Sequence, residues 1–354
     1  MKKSLVALAL AGAFASAAQA QSVELYGIVD MGFVQESGGP TGTLPSPATP
    51  RGTINKLTSG AQSGTRLGFK GTEDLGNNMK ALFVLETGIA ADKGGFNQGP
   101  APQGLGFARQ TFVGLQSDVG TLTLGRQYTP YFLTMLVGDP FAAGMAGAAQ
   151  NMLMPAANIR MDNAVKYTSP IFGGGFSGEA AYGFGEQAGT NGRSRQLGAY
   201  IGYSSAPINI RLGYLKKNTD VVTTVPETKD VTNWIIAANW DVKVAKLFAA
   251  VTNNDEAVYA PIRRKSQDYL IGAQVPFNKH TFIASYIYKD GDDAMTGNAN
   301  QLALGYTYTM SKRTNLYAAW GRINNGTNSF LTVGNNSDPG YGDKALNLGI
   351  RHIF

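Results

Sequence analysis

Cysteine is absent from all 354 residues, histidine occurs twice, and charged side chains make up only 15% of the chain. Without cysteine there is neither a disulfide framework nor a thiolate metal site, so folding needs no redox help. His280 and His352 fall on separate segments with no metal-ligand or triad partner at a recognisable spacing, which reads both as structural and leaves hydrolytic chemistry without its usual base. No G-x-x-x-x-G-K-[ST] loop is present. "GFGEQA", from Gly183 to Ala188, matches G-x-G-x-x-A, but it follows a glycine-rich strand and runs into "GTNGRSR" rather than a helix, so dinucleotide binding fails on context. Clustered basic runs are missing too. The formal charge of +6 falls to +4 once Lys2 and Lys3 are set aside, too little and too dispersed for a nucleic-acid surface.

Those two lysines open a recognisable leader. Lys2 and Lys3 precede an apolar stretch from Leu5 to Ala15, and Ala18-Gln19-Ala20 is an A-x-A cleavage site. Residues 1–20 are expected to be a secretory signal peptide, leaving 21–354 as the mature chain. The apolar run is well short of the roughly 20 residues a spanning helix needs, and nothing later in the chain approaches that length.

What the mature chain does have is glycine, tyrosine, phenylalanine, asparagine and threonine, a composition suited to strands and turns. Its last residues, "KALNLGIRHIF", alternate. Leu346, Leu348, Ile350 and Phe354 share one face with His352, and Ala345, Asn347, Gly349 and Arg351 share the other. The pattern recurs along the chain and predicts strands at 23–35, 65–72, 79–92, 108–116, 121–128, 163–169, 176–185 and 195–205. It predicts eight more at 208–218, 232–242, 245–253, 268–275, 281–290, 300–309, 315–323 and 344–354.

Sixteen is an even number, and the connections alternate in length. Short turns such as "EDLGNN", "DVG", "AP" and "SKR" interleave with long stretches at 36–63, 93–106, 129–162 and 324–343. Short turns at one end and long loops at the other are the mark of an outer-membrane β-barrel. Closure removes the unpaired strand edges that hydrocarbon cannot satisfy. The C-terminus is then a seam: the last strand pairs with the first, near "VELYGIVDMG", its oily face meets lipid, and Phe354 sits in an interfacial girdle. Tyrosines and tryptophans placed mostly toward strand ends fit such girdles, with some left to face inward.

Charge follows from the same alternation. In "TRLGFKG", Thr65, Leu67, Phe69 and Gly71 share one face and leave Arg66 and Lys70 on the other; in "NAVKYTS", Lys166 opposes Val165 and Tyr167. A charge facing lipid at mid-depth costs roughly 2 to 4 kcal/mol, which turns these cations toward the lumen.

"VELYGIVDMG", "TRLGFKGTEDLGNNMKALFVLE", "ARQTFVGLQSDVGTLTLGRQ", "VKYTSPIFGGGFSGEAAYGF" and "LGIRHIF" together resemble the general-diffusion porins of Gram-negative outer membranes, of the betaproteobacterial or neisserial type. The resemblance covers the whole mature chain. It implies an all-β fold, a trimer of 16-stranded antiparallel barrels, each with a water-filled pore narrowed by a third loop folded into the lumen. It also implies Arg66, Arg109 and Arg160 on a basic wall, a constricting loop over 129–161, and Asp139 as the opposing acid; Lys70 and Lys166 join them by the alternation above. Arg109 has the parity of Val113 and Leu115, so a bulge or phase break must turn it inward. Asp139 is the loop's sole carboxylate before Asp162, so an anion preference is expected.

The expected function is therefore passive diffusion of small hydrophilic solutes and ions across the outer membrane. It needs no cofactor and no nucleic-acid partner, with lipid and lipopolysaccharide outside the barrel and a homotrimer as the assembly. A substrate-specific channel of the same architecture is the alternative. An outer-membrane hydrolase would need a convergent site that two isolated histidines do not supply, and an adhesive surface protein would not need inward cations around a narrow loop.

Overall fold

The computed structural model describes residues 21–39, 52–97, 106–153, 159–186, 194–220, 228–259, 262–291 and 297–354. The expected leader, 1–20, lies outside them. The strands are β1 (Gln21–Gly38), β2 (Gly52–Ser59), β3 (Arg66–Gly76), β4 (Met79–Ala90), β5 (Gly95–Asn97), β6 (Gln110–Ser117), β7 (Gly120–Tyr128), β8 (Arg160–Thr168) and β9 (Phe176–Gly183). They continue as β10 (Gln196–Ser205), β11 (Ile208–Asp220), β12 (Thr228–Asp241), β13 (Lys246–Tyr259), β14 (Ile262–Phe277), β15 (His280–Gly291), β16 (Ala299–Thr309), β17 (Thr314–Asn325) and β18 (Lys344–Ile353). Among the described residues, two helices, α1 (Pro130–Gly138) and α2 (Gln150–Leu153), lie between β7 and β8.

Eighteen segments make sixteen barrel strands, because two strands are interrupted. β2 and β3 both pair with β1, end to end, across the excursion 60–65. β5 and β6 both pair with β4. The stretch expected as a loop over 36–63 therefore contains a strand, β2, that continues the barrel wall above the excursion. Its residues "GTINKLTS" have alternation too short and too polar to stand out against a loop. The same holds for the three residues of β5 inside the stretch expected as 93–106.

The sheet closes antiparallel, with β18 against β1 from Ile28↔Ile353 to Ser37↔Lys344. Phe354 extends the seam: its amide donates to the Gly27 carbonyl at 3.1 Å and its carbonyl accepts from the Gly27 amide at 3.1 Å. The terminal ring lies over Gly27, where any side chain would collide with it. The outer face is apolar, with Leu25, Val113, Leu124, Ile201, Leu212, Ile271, Leu304, Leu348 and Ile350 exposed, as a lipid-facing band requires. Turns at the other end are tight; Asn77 and Asn78 both adopt positive φ, the two-residue hairpin geometry that asparagine tolerates.

The packed core is inside the barrel. After β7 the chain lies against the inner wall over the described residues 129–153, so this third loop is in the lumen as expected. Thr129 caps α1 by accepting the Phe132 amide at 3.1 Å, and Pro130 occupies the first turn, where its missing N–H costs nothing. The helix is apolar nearly all round, and Tyr131 and Met135 are fully buried, as befits a helix enclosed by the barrel.

Inward glycines make room for it. A Cβ at Gly198 of β10 would sit 2.8 Å from Pro130, at Gly213 of β11 2.6 Å from Thr134, at Gly272 of β14 2.7 Å from Pro140, and at Gly305 of β16 2.6 Å from Phe141. The loop thus runs around the wall from β9 to β17, leaving most of β3, β4 and β6 to β8 uncovered.

Candidate functional site

The bare wall carries the basic residues. Arg66 starts β3, and its inward parity, shared with Lys70, agrees with the alternation of the segment. Arg109 stands at a bend just ahead of β6, and its amide donates to the Glu86 carbonyl at 3.1 Å. That bend is the phase break its parity demanded: Arg109 lies outside the regular ladder, which begins at Gln110. Arg160 begins β8 beside Tyr128.

These three meet around two side chains absent from the sequence reading. Glu86 accepts from Arg109 Nε at 2.8 Å and from the Tyr26 hydroxyl at 3.1 Å, and lies 3.9 Å from Arg66 Nη1. The Tyr128 hydroxyl accepts from Arg109 Nη2 at 2.7 Å and Arg160 Nη2 at 3.4 Å, with the Arg160 guanidinium 5.0 Å over the ring. Three guanidinium groups thus face one carboxylate, a local excess of two positive charges. Tyr128 also packs on Phe132 of α1, ring centroids 5.0 Å apart, tying the basic wall to the loop root. Glu86 was legible: in "MKALFVLETG" it opposes Phe83 and Leu85, the alternation that turned Arg66 inward.

Lys70 and Lys166 also face the lumen, each with its own acid. Lys70 pairs with Glu24 at 3.1 Å and Lys166 with Glu179 at 3.3 Å. They add almost no net charge. Arg211 of β11 was missed as well; it faces inward, stacked 4.5 Å over the Tyr200 ring and donating to the Leu133 carbonyl at 3.5 Å.

Asp139 is not an acid facing the basic wall. Its side chain is 2% exposed, and its carboxylate accepts three backbone amides of its own loop, Phe141 at 2.8 Å, Ala143 at 2.7 Å and Ala149 at 3.0 Å. Burial raises the carboxyl to about 6, against the pull of those amides. Asp139 folds the loop rather than charging the lumen; the acid at the basic wall is Glu86.

Beyond Asp139 the loop tip reaches the seam. The Met145 amide donates to the Ala61 carbonyl at 2.7 Å. Asp30, fully buried on β1, accepts the amides of Gln62 at 2.8 Å and Ser63 at 2.5 Å and the Tyr317 hydroxyl at 2.7 Å, which holds the excursion 60–65 inward. The last long loop folds in as well: Asn336 accepts from the Gly64 amide at 2.6 Å and donates to the Ala143 carbonyl at 2.8 Å. On the opposite side of the loop, Tyr131 donates to the Leu153 carbonyl at 3.2 Å and lies 3.4 Å from Asn254 Oδ1, beside the buried Lys289–Asp268 pair at 2.8 Å. Anchored at both ends, the loop fills part of the lumen, and the Tyr128–Phe132 contact joins its root to the wall that carries the arginines.

The Gram-negative porin family model matches residues 6–328. An outer membrane porin protein of Bordetella pertussis is 32% identical, and outer membrane porin protein 32 of Delftia acidovorans 30% identical, each over the full length of both chains. Among solved structures, an anion-selective porin from Comamonas acidovorans superposes with a TM-score of 0.80 at 28% identity, covering 94% of this chain and all of its own.

Proposed function

The chain belongs to the Gram-negative porin family and forms a water-filled channel for passive diffusion in the outer membrane, and we propose that this channel prefers anions because Arg66, Arg109 and Arg160 outweigh Glu86 at the constriction. The observation that carries the reading is the convergence of three guanidinium groups on Tyr128 and a single carboxylate. Fixed charge at the narrowest point acts on every ion that passes, while the paired lysines below it contribute little. The anion-selective porin of known structure supports the same sign. Transport needs no cofactor, and we read no catalytic role into a family and fold of channels.

We further read residues 1–20 as a leader removed before Gln21, the assembly as a homotrimer, and the apolar outer face as meeting lipid and lipopolysaccharide. Intact mass of the purified protein and its migration unheated in detergent gels test the first two. The anion preference is tested by the zero-current potential across a planar bilayer with a tenfold KCl gradient at low ionic strength. A potential of the sign for chloride supports the reading, and the opposite sign overturns it.

A further inference from the structure

Ion selection does not require bare apolar surface, yet the uncovered wall has some. On β4, Val84 is the register partner of both Lys70 and Phe112, and Leu82 pairs with Thr72 and Gly114, so all three apolar side chains share the inward face of Lys70 and Glu86. Five lumen-facing apolar residues on β11 to β17 are hidden by contrast. Leu215, Ile235, Leu270, Ile287 and Ile323 are at most 2% exposed and belong to the cluster built around the third loop. Leu82, Val84 and Phe112 lie where that loop does not reach, and they remain partly exposed. They border a cavity of about 490 Å³ on the short-turn side of the arginines, with Lys70 and Lys166 in its lining.

Apolar surface left wet inside a channel is unfavourable unless something covers it. The flanking charge says what kind of group that is. Lys70 is half exposed, and its partner Glu24 is more exposed still, so the ammonium can share a second carboxylate without leaving the first. A cavity of this size, with an apolar floor and a few placed polar groups, is of the kind that holds small molecules.

We propose that this cavity is a docking site for organic anions with a compact apolar body, typified by aromatic monocarboxylates, the ring resting on Leu82, Val84 and Phe112 and the carboxylate on Lys70. The proposal rests on the anion-preferring reading of the constriction, since the arginines admit the ligand. The site retains such solutes just past the narrowest point, where acetate or chloride finds charge but no apolar contact.

The test is block of single-channel chloride current by benzoate and by acetate, each added from the short-turn side, compared as half-blocking concentrations. In the native channel benzoate blocks at a concentration about tenfold lower than acetate, from apolar burial alone. In Val84→Thr and in Phe112→Ser that ratio falls toward one. In Lys70→Gln the half-blocking concentration of benzoate rises several-fold while that of benzyl alcohol does not. Equal block by the two acids in the native channel, or a ratio unchanged in Val84→Thr, overturns the proposal. Val84→Thr is nearly isosteric, so the test stands if Phe112→Ser does not insert. The zero-current potential in the same membranes separates the two claims: a cation-preferring native channel refutes the constriction reading, whereas the benzoate ratio reports on the cavity.

Discussion

Replacing Arg66, Arg109 and Arg160 together by glutamine should not merely neutralise the constriction but invert it, because Glu86 stays. A unit charge about 7 Å from an ion's path acts with about 0.6 kcal/mol in the bulk dielectric. A Debye length of about 10 Å at 0.1 M halves this to about 0.3 kcal/mol. Three guanidinium groups against one carboxylate leave two positive charges. Anion and cation then differ by about 1.2 kcal/mol, roughly an eightfold preference for the anion. The triple variant leaves one negative charge and a roughly threefold preference for cations; adding Glu86→Gln should bring the pore close to neutrality. At 1 M, where the Debye length is about 3 Å, the native preference should shrink to less than about twofold. Zero-current potentials at the two ionic strengths, on channels that insert normally, read all of this directly. A triple variant with native selectivity, or a quadruple variant as cation-preferring as the triple, would show that these side chains do not set the field.

Asp139→Ala removes the acceptor of three buried loop amides, each costing about 1 to 3 kcal/mol when left unpaired; the loop should loosen, and single-channel records should show larger, noisier conductance. Removal of Phe354 deletes both hydrogen bonds to Gly27 at the seam and should lower the amount of folded protein in the outer membrane more than the amount secreted, so normal outer-membrane levels by surface fractionation would count against the seam argument. Tyr317→Phe leaves buried Asp30 with two amides and no hydroxyl donor, a loss of about 1.5 to 3 kcal/mol. Its readout is a lower melting temperature in detergent with the strand content of the circular dichroism spectrum preserved.

Alternation along the chain was enough to find every one of the sixteen barrel strands and the inward side of Arg66, Lys70 and Lys166, because side chains on a strand have no choice but to point to one face or the other. Had it been carried through "MKALFVLETG", it would have yielded Glu86 as well. It was silent on β2, whose alternation is short and polar, and on which wall of the barrel faces which, since period two fixes a face but no distance across a lumen. The loop was the harder case. The resemblance put it inside, but the fate of Asp139 depended on three amides up to ten residues away folding back on the same carboxylate, and no local pattern encodes that return. Arg109 shows the division within one residue: its charge and parity were written in the chain and were in conflict, and only the bend ahead of β6, held by Glu86, turns the guanidinium inward. What the sequence by itself determined was the barrel, its seam and the supply of inward charge, all consequences of local periodicity and of lipid outside. Which charges pair, which acid meets the arginines, and where the loop leaves wall bare were decided by contacts between strands far apart in the chain, whose distances exist only once the barrel has closed.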